Sequence, residues 1–313
     1  MGIIQLYIVI RKENGKVKMD RVLKSPIFYM GNKERLIKKG LLELFPQNIN
    51  VFVEPFCGSG IVSMNTSAKS FILNDYNKTI IDLLTFFKNN QAEEIIEKMQ
   101  NIIKSNNILK GFNKRSLAET EEYKQKAKEN YNKFRKHYNE VDKSIINLYI
   151  LSYYCNNNNI RFNNSGNFNM PIGNQYFKPE THSQKIIDGC NFLGQDNVYL
   201  YNKSYDECNY NILDTNDFVY FDPPYTNTLA IYNEQQGWGI KNDLELFKLC
   251  EGLTNRGIKW GMSNVFENKG NVNQHLIDWT VKNGYNVHFF DGFNYVSCGK
   301  GNAKTVEVFI TNY

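Results

Sequence analysis

Two consecutive prolines constrain this chain more tightly than any other feature. Pro223 and Pro224 follow the apolar run Asp217-Phe218-Val219-Tyr220-Phe221. Neither proline has an amide hydrogen, each fixes φ, and each restricts the residue before it. A helix interior or a central strand is excluded there, so the run reads as a short buried strand ending in a stiff corner. Asp222 and Tyr225 flank the prolines and add a carboxylate and an aromatic ring to a backbone rich in carbonyls. Such a corner suits a planar amine: acceptors for its two hydrogens and a ring to stack on. An amine attached to a nucleobase fits that description.

A chain of 313 residues can bury a substantial core, as one large domain with an insertion or as two small domains. No window reaches the apolar length needed to span a bilayer. The opening run Ile3 to Ile10 is too short for a membrane helix and lacks the features of a signal peptide, so a cytoplasmic protein is expected. Met19 precedes the first recognisable motif, and residues 1–18 are expected to carry no catalytic part. The net charge of +5 permits a nucleic-acid partner through a local basic groove without demanding one. Six cysteines with no C-x-x-C pair and four dispersed histidines give no metal spacing, so no metal is expected and the thiols are expected to be reduced.

Val51 to Glu54 reads as a strand, Pro55-Phe56-Cys57-Gly58-Ser59-Gly60 as a turn and Ile61 to Ala68 as a helix. Ser70 to Asn74 is a second strand ending at Asp75, and Asn77 to Phe87 returns to helical spacing. This is the opening of a doubly wound α/β sheet. Glycines after a first strand let a ligand approach the amides at a helix N-terminus. Ser63 stands where a dinucleotide site has its third glycine, which a ligand without a pyrophosphate does not need. Asp75 can take both hydroxyls of a ribose. The same residues also make a plain strand–helix turn with a capping Asp, so taken alone they leave both readings open.

From about Gln91 to Cys155 the chain is charged and helical, including Ala118 to Tyr138. Lys124, Lys126, Lys128, Lys133, Arg135 and Lys136 alternate there with glutamates and read as a solvated face rather than a phosphate track. Asn156 to Gly173 is turn-prone and reads as a hairpin. Strands resume at Asn197 to Tyr201, Ile258 to Ser263, Asn286 to Phe290 and Thr305 to Ile310. One α/β core interrupted by a helical insertion is expected.

Taken together, these motifs resemble the S-adenosylmethionine-dependent DNA adenine-N6 methyltransferases of the Dam type. The likeness runs through Phe28-Tyr29-Met30-Gly31-Asn32-Lys33, Phe52 to Gly60, Leu73-Asn74-Asp75, Asp222-Pro223-Pro224-Tyr225, Tyr295-Val296-Ser297-Cys298 and the closing Val306 to Tyr313. Asn159 to Gly173 resembles the family's DNA-reading hairpin. The resemblance implies a Rossmann-like methyltransferase sheet with an inserted, mainly helical target-recognition domain carrying a β-hairpin. It places an N-terminal extension at 1–24, the catalytic domain at 25–78 and 183–313, and the recognition insertion at 79–182. Tyr29, Lys33, Glu54, Phe56, Gly58, Gly60, Asp75 and Asp222 are implied as S-adenosylmethionine contacts, and Asp222, Pro223, Pro224 and Tyr225 as the catalytic set. Arg161, Asn163 and Asn157 are implied as DNA contacts, Arg161 through a guanine edge. The chain departs from the pattern at Asn156, where relatives carry a wedging aromatic, and at Asn174-Gln175, where a basic and aromatic pair can stand. In Ser204-Tyr205-Asp206 the expected adenine-binding acid comes two places late.

The implied activity is methyl transfer from S-adenosylmethionine to N6 of adenine in a specific double-stranded DNA sequence, by a monomer. Adenine turns out of the duplex. Asp222 and the Pro223 carbonyl accept its two amino hydrogens and favour the charge that grows on nitrogen. Tyr225 stacks on the ring. A cytosine-N4 or RNA adenine methyltransferase shares the same amine chemistry, and a catalytically silent DNA-binding relative shares the fold.

Overall fold

The computed structural model describes residues 10–13, 16–19, 21–29, 31–112, 120–226, 237–290 and 305–313. Met30 and the expected segment Tyr295 to Cys298 lie outside them. Near the start, β1 (Ile10–Glu13) and β2 (Lys16–Met19) pair as an antiparallel ribbon apart from the main sheet.

The main sheet contains β3 (Ile49–Glu54), β4 (Ala68–Asn74), β5 (Val198–Tyr201), β6 (Phe218–Phe221), β7 (Lys259–Asn268), β8 (Asn271–Val272), β9 (Asn286–Phe290) and β10 (Thr305–Thr311). Their order is β5-β4-β3-β6-β7-β10-β9, with β8 paired to β7. From β5 to β7 every pairing is parallel, while β10 runs antiparallel to both β7 and β9. The result is a mixed α/β fold with a mostly parallel central sheet.

Helices cover both faces: α1 (Glu34–Ile37), α2 (Ile61–Asn65), α3 (Lys78–Lys88), α4 (Ala92–Ser105), α5 (Glu121–Glu140), α6 (Ile145–Tyr154), α7 (Pro179–Leu193), α8 (Ile240–Asn255) and α9 (Gln274–Asn283). A parallel strand covered on two faces needs a continuous apolar run, and all four residues of β6 are buried. Side-chain alternation sorts them: Phe218 and Tyr220 join Phe52, Phe45 and Phe309 on one face, and Val219 and Phe221 join Val53, Trp260 and Met262 on the other. The second face is closed by Leu246 and Phe247 of α8 and by Leu276 and Trp279 of α9.

The expected helix from Ile61 stops at Asn65, and β4 starts at Ala68 rather than Ser70. The side chains that follow α2's first turn fold back on it: Asn65 Nδ2 donates to the Ile61 carbonyl and Thr66 Oγ1 to that of Val62. Such local bonds offer the backbone an exit from the helix. In α5, Thr120 caps the amide of Tyr123, and Ala127, Tyr131, Phe134 and Tyr138 form the buried stripe. Lys126, Lys128, Lys133 and Lys136 lie on the other faces. Arg135 instead turns to the Met170 carbonyl.

The expected insertion shares its packing with the sheet. One apolar cluster joins Phe52, Phe71 and Leu73 of the strands to Leu83 and Phe87 of α3, Tyr149 of α6 and Leu193 of α7. The boundary expected at 182/183 falls inside α7, and the one at 78/79 in the first turn of α3. No helix among the described residues is long and apolar enough to cross a membrane.

Candidate active site

In the chain order β3, β4, β5 the sheet grows to one side, and β6 then returns to the other flank of β3. Open α/β sheets bind ligands beyond the carboxyl ends of their strands at such a reversal. Three carboxylates stand at those ends: Glu54 closes β3, Asp75 follows β4 and Asp222 follows β6.

The glycine turn sets the first of them. Gly58 has φ +48°, and a Cβ there would lie 2.8 Å from the Tyr29 ring, so only glycine lets the aromatic of the N-terminal motif rest on the turn. Gly60, at φ +70°, is the residue before α2. Ser25 Oγ donates to the Ser59 carbonyl at 2.6 Å, and Leu23 pairs through both backbone groups with Asn65. These bonds hold the segment that carries Tyr29 and Lys33 against the turn. Ser63, at the third-glycine position, donates its hydroxyl to Glu54 Oε2 and adds its amide at 3.2 Å. The serine thus replaces a close-packing glycine with an anchor for a carboxyl.

Asp75 is buried and receives the amide of Gly58 on Oδ2 and that of Asn77 on Oδ1, both at 2.8 Å. Asn74 fixes the end of β4 by donating to the carbonyls of Pro55 and Lys203 at 3.0 Å each. Next to Asp75, Tyr76 is 66 % exposed. At the proline corner, Asp222 Oδ2 meets Lys33 Nζ at 2.7 Å, and Oδ1 accepts from the Tyr225 hydroxyl at 3.0 Å. Lys33 is buried, also donates to the Gly31 carbonyl, and lies 5.3 Å from the centre of the Tyr225 ring.

Burial dominates the electrostatics. It lifts Glu54 to about 8 against the bonds from Ser63, with Asp222 and Asp75 adding to the rise. Asp75 is lifted to about 6, again by burial, despite its two amide partners. Asp222 is raised by burial while Lys33 and then Tyr225 pull it back. Lys33 pairs with Asp222, whose charge in turn helps raise both Glu54 and Asp75, so the three carboxyls share one electrostatic environment.

Phe56, half-buried, stacks on Tyr205 at 5.2 Å and meets Trp238 edge-on at 5.6 Å. Tyr205 lies in the segment read for its late acid, but nothing in the sequence marks its ring, or Trp238, as part of a wall. Asp206, the late acid, is exposed and accepts from the Ser204 hydroxyl.

Arg161, Asn163 and Asn157 gather elsewhere, in the hairpin between 156 and 173. Its frame is the antiparallel bridges Cys155–Ile172 and Phe162–Phe168. Asn163 spends its side-chain oxygen on the tip, accepting from the amides of Ser165 and Asn167. Exposed Arg161 donates through Nε to Asn169 Oδ1 at 3.0 Å. Asn157, also exposed, has φ +56°, a conformation asparagine tolerates better than most residues. Helix α5 braces the returning arm: Asn139 pairs with both backbone groups of Phe168, and Tyr131 and Arg135 donate to the Met170 carbonyl. Helix α6 links the two regions. Tyr149 donates to the Pro26 carbonyl and Tyr153 meets Phe28 edge-on at 5.0 Å, while the last turn leads into the hairpin.

Comparison with known proteins identifies the family. The Modification methylase StsI of Streptococcus sanguinis is 32% identical over 299 residues, covering 94% of this chain and 43% of the relative. The Type II methyltransferase M.FokI of Planomicrobium okeanokoites is 30% identical over 308 residues, covering 96% of this chain and 44% of the relative. The chain thus spans less than half the length of these two relatives. The DNA adenine methylase of Escherichia coli (strain K12) is 28% identical over 220 residues, 68% of this chain and 70% of that protein. The D12 class N6 adenine-specific DNA methyltransferase family matches residues 29–296, and the chain belongs to that family.

Proposed function

We propose that this protein transfers the methyl group of S-adenosylmethionine to N6 of adenine in double-stranded DNA, acting on a base turned out of the helix. The observation that carries the reading is the corner at Asp222, held by Lys33 and Tyr225 at the sheet's reversal point beside Glu54 and Asp75. Family membership and the three relatives point the same way.

Bound S-adenosylmethionine supplies an electrophilic methyl on a sulfonium centre. The carboxylate of Asp222 fits that cation, and Glu54, which keeps its proton near neutral pH, offers a carbonyl oxygen as an acceptor. Tyr29, Phe56, Gly58 and Gly60 would border the bound cofactor, Asp75 would meet its ribose hydroxyls, and the exposed ring of Tyr76 suits its adenine. Asp222 and the Pro223 carbonyl accept the amino hydrogens of the target base, which concentrates the lone pair on N6 and stabilises its growing positive charge. Pro223 and Pro224 keep these acceptors in place, so alignment rather than rearrangement lowers the barrier. Tyr225 stacks on the extruded base. Aromatic stacking contributes about 1–3 kcal/mol and offsets part of the unstacking cost.

Division of the chain follows the same logic: 25–78 and 183–313 form the catalytic part, and 79–182 the recognition insertion, with α3 and α7 joining the two through a shared core. Arg161 reads a guanine edge, and its Nε bond to Asn169 leaves the terminal nitrogens as the reading atoms. Asn157 and Asn163 support it from the hairpin.

Incubation with duplex DNA and labelled S-adenosylmethionine, followed by nucleoside digestion and mass spectrometry, tests the reading. N6-methyladenine is expected, and Asp222→Ala is expected to bind DNA normally while losing at least ~100-fold in kcat. N4-methylcytosine as the product, transfer confined to RNA, or full activity of Asp222→Ala would overturn it.

A further inference from the structure

Asp243, in the first turn of α8, is buried to 2 % exposure and collects three side-chain partners. Thr226, the residue directly after Tyr225, donates its hydroxyl to Oδ2. His275 of α9 reaches the same oxygen through Nε2 at 2.7 Å. Trp238 donates Nε1 to Oδ1 at 2.8 Å. A buried carboxylate needs such partners, and three side chains so joined become mutually ordered.

The partners matter because of what they touch. Thr226 extends the stiff corner by one residue past the ring whose hydroxyl meets Asp222. Trp238 packs against both Phe56 and Tyr205 at 5.6 Å, so the same carboxylate is tied to the aromatic wall beyond the glycine turn. His275 anchors the carboxylate to α9, whose Leu276 and Trp279 lie in the same core cluster as Trp260 and Met262 of β7. One side chain therefore couples the exit of the catalytic tetrapeptide, the wall at Phe56 and the rigid interior.

We propose that Asp243 is a positioning residue that fixes Tyr225, through Thr226, relative to the wall at Phe56. Nothing in the chemistry of the reaction needs Asp243 itself; its effect is on alignment, where small displacements of reacting groups are costly. The inference rests on the methyl-transfer function proposed for the corner at Asp222.

The test is a double-mutant cycle on the full chain with duplex DNA and S-adenosylmethionine. Thr226→Val removes the hydroxyl at constant shape. Asp243→Asn keeps an acceptor for Trp238 and replaces the one facing Thr226 and His275. Each single variant is expected to lower kcat about ten-fold, with KM for S-adenosylmethionine within about two-fold of wild type. The double variant is expected to be no slower than the slower single, because both substitutions break the same bond. Thr226→Ser, which restores the hydroxyl, is expected to recover the wild-type kcat. Multiplicative losses in the double variant, or a wild-type kcat for Thr226→Val, would overturn the proposal. Should Asp243→Asn not fold, the contrast between Thr226→Val and Thr226→Ser decides the matter alone. A merely structural Asp243 would lower the melting temperature of its variant and leave the kcat of Thr226→Val unmoved. Wild-type protein that methylates no DNA adenine removes the parent function, and this inference with it.

Discussion

Replacing Glu54 by Gln should change how stability depends on pH, with a sign opposite to that of an ordinary surface carboxylate. Glu54 is held at about 8 in the folded protein, against a reference value of 4.5 for an unburied glutamate. Between those values the native chain keeps a proton that the unfolded chain gives up. Stability then falls as pH rises, by about 1.36 kcal/mol for each unit fully inside the window. The interval from about pH 6.5 to 8.0 lies within it. Because the carboxyl is half-ionised at the upper end, the loss over that interval comes to about 1.5 kcal/mol. For a protein of this size that corresponds to a drop in Tm of about 2 °C. Glutamine preserves the shape and can still accept from Ser63, but has no proton to lose.

Asp75 and Asp222 are raised too and contribute with the same sign, but both remain in the variant. Asp75, held at about 6, titrates mainly below the interval. Half-buried His182 is pushed down to about 4 by burial, so its contribution has the opposite sign, rising with pH up to its unfolded value near 6.5. Both groups are present in the variant, so the difference between the two proteins isolates Glu54. Thermal melts followed by circular dichroism at about pH 6.5 and 8.0 are sufficient. Wild-type protein should lose about 1.5 kcal/mol more than Glu54→Gln over the interval. Parallel curves would mean that Glu54 is ionised in the fold and that the site carries a further negative charge.

Two further substitutions probe the turn and the hairpin. Gly58→Ala places a Cβ 2.8 Å from the Tyr29 ring at φ +48°, so a loss of about 1–3 kcal/mol in stability and a raised KM for S-adenosylmethionine are expected from melts and kinetics. An unchanged KM would separate Tyr29 from the cofactor. Arg161→Ala should cost about 1–3 kcal/mol of discrimination at one base pair, measured by sequencing methylated DNA, while transfer to the preferred site persists. Equal weakening at all sequences would reassign Arg161 to the phosphate backbone.

The sequence is most legible where chemistry and local backbone coincide. A proline pair must end a strand, a glycine pair must turn, and an acid at a strand's end needs only its own neighbours to be noticed. Hence the strands near 51–54, 70–74, 218–221 and 305–310 and the trio of Glu54, Asp75 and Asp222 stand out from sequence, with ends shifted by a few residues at most. Asn65 and Thr66 explain why α2 ends early, since their side chains compete with the backbone.

What escapes a sequence reading is the residue whose role arises from partners distant in the chain. Tyr205 and Trp238 are ordinary aromatics in sequence, and only the fold stacks them around Phe56. Asp243 reads as a first-turn acid of a helix, which is a common capping preference. Its partners Thr226 and His275 sit 17 residues before it and 32 after it, a separation that no local pattern reports. The same distinction bears on function. In the proposed function the tetrapeptide from Asp222 to Tyr225 supplies the atoms that meet the amine, and it is local enough to be read as a word. The placement of that tetrapeptide relative to the aromatic wall depends on a buried carboxylate outside it. A chain that kept the four residues but lost Asp243 would still display the motif, yet its acceptors and its stacking ring would no longer be held in one frame.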